Sequence, residues 1–332
     1  MKKISAGVNG FGRFGLHLLK YWLERADKCP FEINSINDSV LSKDKILEII
    51  KTDYSVIFNS YKFHLNGSVL QIISPDGNNH EINITNEEDD KISWIGEYDL
   101  FLECTGLNTI RENSKKFLTG NTKLVLISAT SWDCDKTLVY GFNHSDFNPQ
   151  KHQIISYGSC TVNAYVPLAN NINDLFGVVN SDVNVIHNIQ QYRLADNYTL
   201  NRKFCTLEKS AVDLLPFINE SNFIVNYTVI PYEYVSMIDF RFEINKDTSH
   251  EAFLDKLIDS INNGDLYGLY DIEDYDNGPE VFNCTPYSSV FIKDGIKQIG
   301  KNIYLQAYFD NENSVNRYYD LVSYVSDHFL KG

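Results

Sequence analysis

No apolar run in this 332-residue chain approaches the length of about twenty residues that a membrane-spanning helix needs. The opening residues, Met1-Lys2-Lys3-Ile4-Ser5-Ala6-Gly7, pass straight into a strand pattern and a glycine-rich turn, without the apolar stretch of a signal peptide. Both absences predict a cytoplasmic protein with no membrane partner. Cationic residues are in deficit: 29 Lys and Arg stand against 44 Asp and Glu, a net charge of -15. Such a surface repels phosphodiester backbones, so nucleic acid is excluded as a partner. The acids are spread along the chain, as on an ordinary soluble surface. Cysteines occur at positions 29, 104, 134, 160, 205 and 284, with no CxxC spacing and no metal-ligand pattern. No metal site is therefore expected, and in a reducing compartment these are free thiols. Internal repeats, low-complexity tracts and proline-rich linkers are also missing.

Apolar residues make up 43% of the chain, enough for one large or two ordinary cores. Residues 3–8 read as a strand and the stretch to about Ala26 as a helix. A second strand, Ile33–Ile36, and a helix, Lys43–Lys51, follow. Tyr98–Cys104 and Lys123–Ser128 are apolar runs suited to strands buried on both faces. Strands alternating with helices predict βαβ units and a parallel sheet. After Cys160 the character changes. A helical pattern over Val162–Leu175 is followed by β-branched and aromatic stretches at Asp182–Gln190, Asn222–Ile230 and Tyr234–Ile244, which predict an antiparallel sheet. A strand at Asn302–Phe309 and a helix at Asn316–Leu330 complete the pattern.

Between the first strand and the first helix lies Gly10-Phe11-Gly12-Arg13-Phe14-Gly15. Glycines at this spacing permit a tight turn and close approach of a pyrophosphate, which the helix N-terminus then attracts. Asp38 ends the second strand, 23 residues past Gly15, where a carboxylate meets ribose hydroxyls in such folds. Its charge favours NAD, while the small Ser39 beside it leaves NADP admissible.

Ser159-Cys160-Thr161 stands at a strand-to-helix junction. A helix N-terminus stabilises a thiolate, and a thiolate attacks aldehyde carbonyls to give a thiohemiacetal. The base or proton donor that this chemistry needs is predicted to be His187. Taken singly, each residue reads as structural: cysteine is commonly buried and inert, and His187 alternates with Val183, Val185 and Ile189 on an apolar face.

Taken in order, Asn9-Gly10-Phe11-Gly12-Arg13-Phe14-Gly15, Ile36-Asn37-Asp38, Cys104-Thr105-Gly106, Ile127-Ser128-Ala129, Ser159-Cys160-Thr161-Val162-Asn163 and Asp310-Asn311-Glu312 with Asn316-Arg317 resemble the phosphorylating glyceraldehyde-3-phosphate dehydrogenases, over roughly residues 3 to 331. The gap of 27 residues from Cys160 to His187 equals the family's spacing between nucleophile and histidine. The resemblance implies a Rossmann NAD(P)-binding domain over residues 1–158, completed by a helix at 316–332, and an α+β catalytic domain with a mostly antiparallel sheet over 159–315. It implies that Cys160 carries the adduct and His187 moves the proton. It further implies that Asn9, Gly10, Phe11, Gly12, Arg13, Phe14 and Gly15 form the cofactor turn, Asp38 holds the ribose, and Thr105 and Ser128 lie along the cofactor. Asn316 would bond the nicotinamide amide, and Ser159, Thr161 and Gln190 would meet the substrate. A small carbonyl substrate and a homotetramer complete the expectation.

The departures concern phosphate. Gln190 stands where the family has a threonine after the histidine. The family's Thr-Gly pair aligns with Asn219-Glu220, after Leu214-Leu215-Pro216, and its arginine aligns with Val229, ahead of Pro231. Val in place of Arg removes a charge-assisted phosphate contact, and Glu220 would repel the anion. Arg193, Arg202 and Lys209 are candidate replacements. Asn313-Ser314-Val315 replaces a longer aromatic-Gly-aromatic segment. Three readings stay open: an aldehyde dehydrogenase working through Cys160, a reductase of a sugar or nucleotide-linked sugar carbonyl, and a non-catalytic relative, since fold alone does not prove activity.

Overall fold

The computed structural model describes residues 2–189 and 203–331. It divides into two compact units, Met1–Gly158 with Tyr318–Gly332, and Ser159–Arg317.

The first unit contains β1 (Ile4–Asn9), α1 (Arg13–Arg25), β2 (Phe31–Asn37), α2 (Lys43–Thr52), β3 (Lys62–Asn66), β4 (Val69–Ile73), β5 (Asn79–Thr85), β6 (Leu100–Glu103), α3 (Arg111–Lys115), β7 (Leu124–Ile127), β8 (Lys136–Thr137) and β9 (Ile154–Ser156). Its sheet has the order β3-β4-β5-β2-β1-β6-β7-β9-β8. β1 pairs in parallel with β2 on one side and with β6 on the other. The strand order therefore reverses direction at β1, and a crevice opens at the carboxyl ends of its strands, where doubly wound sheets bind ligands. β6 and β7 are wholly buried, as their uninterrupted apolar sequences predict. Phe101 of β6 stacks on Phe117 at 3.9 Å in a core with Trp94, Val125, Ile127 and Ile154. The antiparallel ladder β3-β4-β5 extends one edge of the sheet.

The second unit contains α4 (Cys160–Phe176), β10 (Val178–Ile189), α5 (Thr206–Leu214), β11 (Phe223–Pro231), β12 (Ser236–Ile244), α6 (His250–Asn263), β13 (Tyr270–Glu273), β14 (Ser289–Ile292), β15 (Lys297–Ile299) and β16 (Asn302–Phe309), and α7 (Asn311–Lys331) starts within it. The sheet order is β11-β10-β12-β16-β14-β13. β12 pairs antiparallel with β10 and with β16. β11, however, runs parallel to β10, which corrects the antiparallel reading of those two stretches. Parallel neighbours need a long crossover, and the chain between them, which includes α5, provides it. α4 packs on the sheet through Tyr165, which stacks with Phe242 at 5.7 Å and meets Phe223 at 5.0 Å. It ends at Gly177, whose φ of 69° allows a sharp exit.

No helix among the described residues is long and apolar enough to cross a membrane.

Candidate active site

In the first unit the turn after β1 is shaped by glycines with different duties. Gly10 has φ 100°, and a Cβ there would lie 2.7 Å from the Thr105 amide nitrogen. A Cβ on Gly15 would lie 2.3 Å from the Gly10 carbonyl oxygen, so only glycine lets α1 start this close to the strand. A Cβ on Gly12 would meet nothing within 4 Å. Gly12 also N-caps α1, with no side-chain cap and no acid in the first turn. That leaves helix N–H groups and the positive end of the dipole for an anion. Asp38 braces the turn: one carboxylate oxygen accepts from Phe11 N–H at 2.7 Å, the other from Val40 and Leu41 N–H at 2.9 and 2.8 Å. The oxygen that accepts from Phe11 alone keeps acceptor capacity for a ribose hydroxyl. Open space at Gly12, uncapped amides and a poised carboxylate fit a dinucleotide.

The other expected cofactor residues differ in what they face. Arg13 gives its guanidinium to Asp53 and Ser55. Phe14 packs edge-on to Tyr157 and Tyr318, at 5.7 and 5.1 Å, rather than standing in the open. Asn9 is buried, donating to Asp89 and Glu103 while accepting from Asn37. Thr105 and Ser128 lie at the carboxyl ends of β6 and β7, the edge that carries Gly10. Thr105 is tied through its N–H to the buried carboxylate of Glu103 at 2.8 Å. Asn316 is completely buried, and its amide donates to the Thr285 and Asn313 carbonyls at 3.1 and 3.2 Å. α7 starts at Asn311 rather than 316, so Asn316 lies within the helix and not at its start.

In the second unit, Cys160 is the first residue of α4. Ser159 caps the helix, its Oγ accepting from Val162 N–H at 3.3 Å. β10 alternates buried and half-buried positions, and His187 shares the buried face with Val183 and Val185. The fold brings Cys160 Sγ to 3.5 Å from His187 Nε2. His187 Nδ1 lies 2.6 Å from the Asn188 carbonyl. A carbonyl only accepts, so Nδ1 carries the proton and Nε2 presents its lone pair to the thiol. Asn188 is itself clamped: its N–H donates to Ser236 Oγ at 3.0 Å, Ser236 Oγ lies 2.9 Å from Asn188 Oδ1, and the Asn188 amide donates to the Tyr234 carbonyl.

The resting pair is neutral. Burial pushes the Cys160 thiol well above its usual value, with the charges of Cys205, Asp310 and Glu312 acting the same way against one Thr161 backbone bond. Burial pushes His187 down. The thiolate expected from the helix N-terminus is thus outweighed by desolvation, which penalises any charge in a dry site. Asp310 is raised strongly, first by burial and then by the neighbouring Glu312.

Hydroxyls surround the nucleophile. Ser159 Oγ lies 3.1 Å from Thr161 Oγ1 and accepts from Thr206 Oγ1 at 3.1 Å. Thr161 Oγ1 lies 3.6 Å from Cys205 Sγ. Thr206 opens α5, whereas the sequence reading put Asn219-Glu220 at the family's Thr-Gly position. Those two residues lie instead in the turn that leads into β11, with Asn219 bonded to Ser221 and Asn222. The missed signal was a capping box at Cys205 and Glu208. Val229 is in register with His187 across β10 and β11. Gln190, Arg193 and Arg202 lie outside the described residues. Lys209 lines a cavity of about 910 Å³ with Phe204, Asp213, Glu220 and Arg241, which includes neither Cys160 nor His187.

Residues 4–111 match the family described as Glyceraldehyde 3-phosphate dehydrogenase, NAD binding domain. Over nearly its whole length the chain is similar to curated proteins. A cytosolic glyceraldehyde-3-phosphate dehydrogenase of Chlamydomonas reinhardtii is 28% identical, over 98% of this chain and 97% of its own. A glyceraldehyde-3-phosphate dehydrogenase of Chlamydia pneumoniae is 28% identical over 96% and 97%. Glyceraldehyde-3-phosphate dehydrogenase 2 of Trichormus variabilis is 27% identical over 98% and 100%.

Proposed function

We propose that this chain, a divergent relative of the glyceraldehyde-3-phosphate dehydrogenases, is an NAD-dependent oxidoreductase that oxidises an aldehyde through a covalent adduct on Cys160. The observation that carries the reading is the contact between Cys160 Sγ and His187 Nε2 at 3.5 Å, with Nδ1 fixed by the Asn188 carbonyl. A neutral thiol beside a neutral imidazole is a competent start for covalent catalysis. As sulfur attacks the carbonyl carbon, the S–H proton passes to Nε2 and a C–S bond forms. The resulting imidazolium returns that proton to the carbonyl oxygen, giving a neutral thiohemiacetal. His187, neutral again, is placed to remove the hydroxyl proton when the carbon is oxidised. A nicotinamide dinucleotide, when bound, would supply the hydride acceptor for oxidation of the adduct to a thioester. Water then attacks the acyl carbon, releasing a carboxylic acid and returning the proton to the Cys160 sulfur through His187. The hydroxyls of Ser159, Thr161 and Thr206 are donors for oxygen atoms near the sulfur.

Asp38 favours NAD over NADP, since a carboxylate repels the additional phosphate. Val229, in register with His187, offers no charge to a phosphate, and no cation stands at the pair among the described residues, which favours an aldehyde other than one gripped there by its phosphate. The test is cofactor reduction by purified protein with NAD and glyceraldehyde 3-phosphate, with and without inorganic phosphate, alongside unphosphorylated aldehydes. Turnover of unphosphorylated aldehydes, abolished in Cys160→Ser, is expected. Substantial turnover in that variant rejects the covalent route, and rapid phosphate-dependent turnover of glyceraldehyde 3-phosphate rejects the reading of Val229.

A further inference from the structure

β11 brings a second side chain to the reactive pair. In the parallel register Tyr227 is opposite Val185 and Val229 is opposite His187. Residues paired in register project to one face, so Tyr227 and Val229 stand together beside the histidine. The Tyr227 ring lies 5.7 Å from the His187 ring, whose other neighbour is Phe309, edge-on at 5.8 Å. Tyr227 is half-buried, and its hydroxyl makes no hydrogen bond among the described residues. Burial, and then the charges of Cys160 and Cys205, push the phenol upward, so it keeps its proton throughout the neutral range. This is a permanent donor with no protein acceptor among the described residues, close enough to the nucleophilic sulfur to be acted on by it. Among the described residues, the charged groups that act on the pair are the carboxyls of Asp310 and Glu312, and no cation is among them.

Resting on the Cys160–His187 reading above, we propose that Tyr227 is the substrate-facing hydrogen-bond donor of the site and that the substrate is an uncharged hydroxyaldehyde, a small sugar rather than a sugar phosphate. The phenol bonds a substrate hydroxyl, the aromatic face covers the sugar's C–H groups, and Val229 closes the wall without charge. A site built to bond a hydroxyl discriminates strongly against an analogue that lacks it, because its own donor is then left unpaired.

Two measurements test this, one independent of turnover. The first compares alkylation of Cys160 by neutral iodoacetamide and anionic iodoacetate, each normalised to the same reagent's rate with glutathione. The neutral reagent is expected to react at least about tenfold faster, and Val229→Arg is expected to reverse the order. Equal or faster reaction with iodoacetate overturns the uncharged substrate. The second compares kcat/KM for glyceraldehyde, propanal and glyceraldehyde 3-phosphate with NAD, in the native protein and in Tyr227→Phe, which keeps the ring. Glyceraldehyde is expected to be the best of the three. Tyr227→Phe should lower its value by about 10- to 100-fold while leaving propanal within about threefold. Equal losses on glyceraldehyde and propanal, or none on either, overturn the role of Tyr227 while the Cys160 chemistry stands. No turnover of any aldehyde overturns that chemistry and the proposal with it.

Discussion

His187 gives its Nδ1 proton to the carbonyl of Asn188, 2.6 Å away. The acceptor belongs to the next residue of the same strand, so the ring is oriented by backbone rather than by a charged side chain. A carboxylate in that place would stabilise imidazolium and hold the proton. A carbonyl fixes the tautomer while leaving the ring a weaker base, suited to a proton that must be taken up and given back.

Ser236 holds that arrangement by bonding both the N–H and the side chain of Asn188. Ser236→Ala is expected to lower kcat about tenfold with little change in KM. It should also alter the pH dependence of Cys160 alkylation, and Ser236→Thr should restore part of both. An unchanged pH profile in the alanine variant would reduce Ser236 to a packing residue.

The raised thiol of Cys160 fixes the sign of its own pH response. A group whose value lies above the ordinary 9.0 is almost wholly protonated at neutral pH. In cofactor-free protein, iodoacetamide alkylation should therefore keep rising as pH increases through 9.0 and beyond. Mass-spectrometric counting of modified Cys160 against pH measures this. A plateau below pH 8 would mean that the helix N-terminus dominates after all.

Gly12 and Gly15 separate ligand binding from folding. A methyl at Gly15 collides with the Gly10 carbonyl, whereas one at Gly12 meets only open space. Gly15→Ala should destabilise the protein by about 2 kcal/mol or more, a loss of several degrees in Tm. Gly12→Ala should leave Tm within about one degree and weaken NAD binding at least tenfold, as read by calorimetry. Unimpaired binding in Gly12→Ala would remove the turn from the cofactor site.

Asp38 carries two duties, bracing Phe11 N–H and presenting a carboxylate. Asp38→Asn removes the charge and keeps one of the two accepting oxygens of the brace. Its affinity for NAD should fall about tenfold while that for NADP stays equal or rises. Parallel binding titrations of the two dinucleotides decide this, and an unchanged ratio would place the ribose elsewhere.

Much of this was legible because it is local in sequence. The glycine turn, Asp38 at a strand end, and the alternation that puts His187 on an inward face are each encoded within a few residues. Features that depend on pairing across the chain were not. Alternation within β10 and β11 marks both as strands yet says nothing of their relative direction, which the crossover through α5 decides. The hydroxyl of Thr206 is not singled out by sequence, because its place beside Ser159 depends on how α5 packs against α4. Tyr227 stands out only when the parallel register sets it beside Val185 and His187. The helix starts five residues earlier than its sequence pattern suggests, so Asn311 and not Asn316 opens it. The thiol was misjudged for a different reason: a helix dipole is visible in sequence, and the burial that outweighs it is not.

One feature of the connectivity bears on how the protein comes into being. Tyr318 donates its hydroxyl to the Leu126 carbonyl at 2.7 Å, across 192 positions of chain. Tyr318–Gly332 belongs with Met1–Gly158, while Ser159–Arg317 is uninterrupted. On the ribosome, the uninterrupted unit has all its residues before the other has received its closing helix. A domain folds only when its parts are present, and long-range closure is slow. The parallel sheet of the first unit must therefore wait, with apolar surface uncovered, through the synthesis of everything between. The portion translated first is the portion completed last.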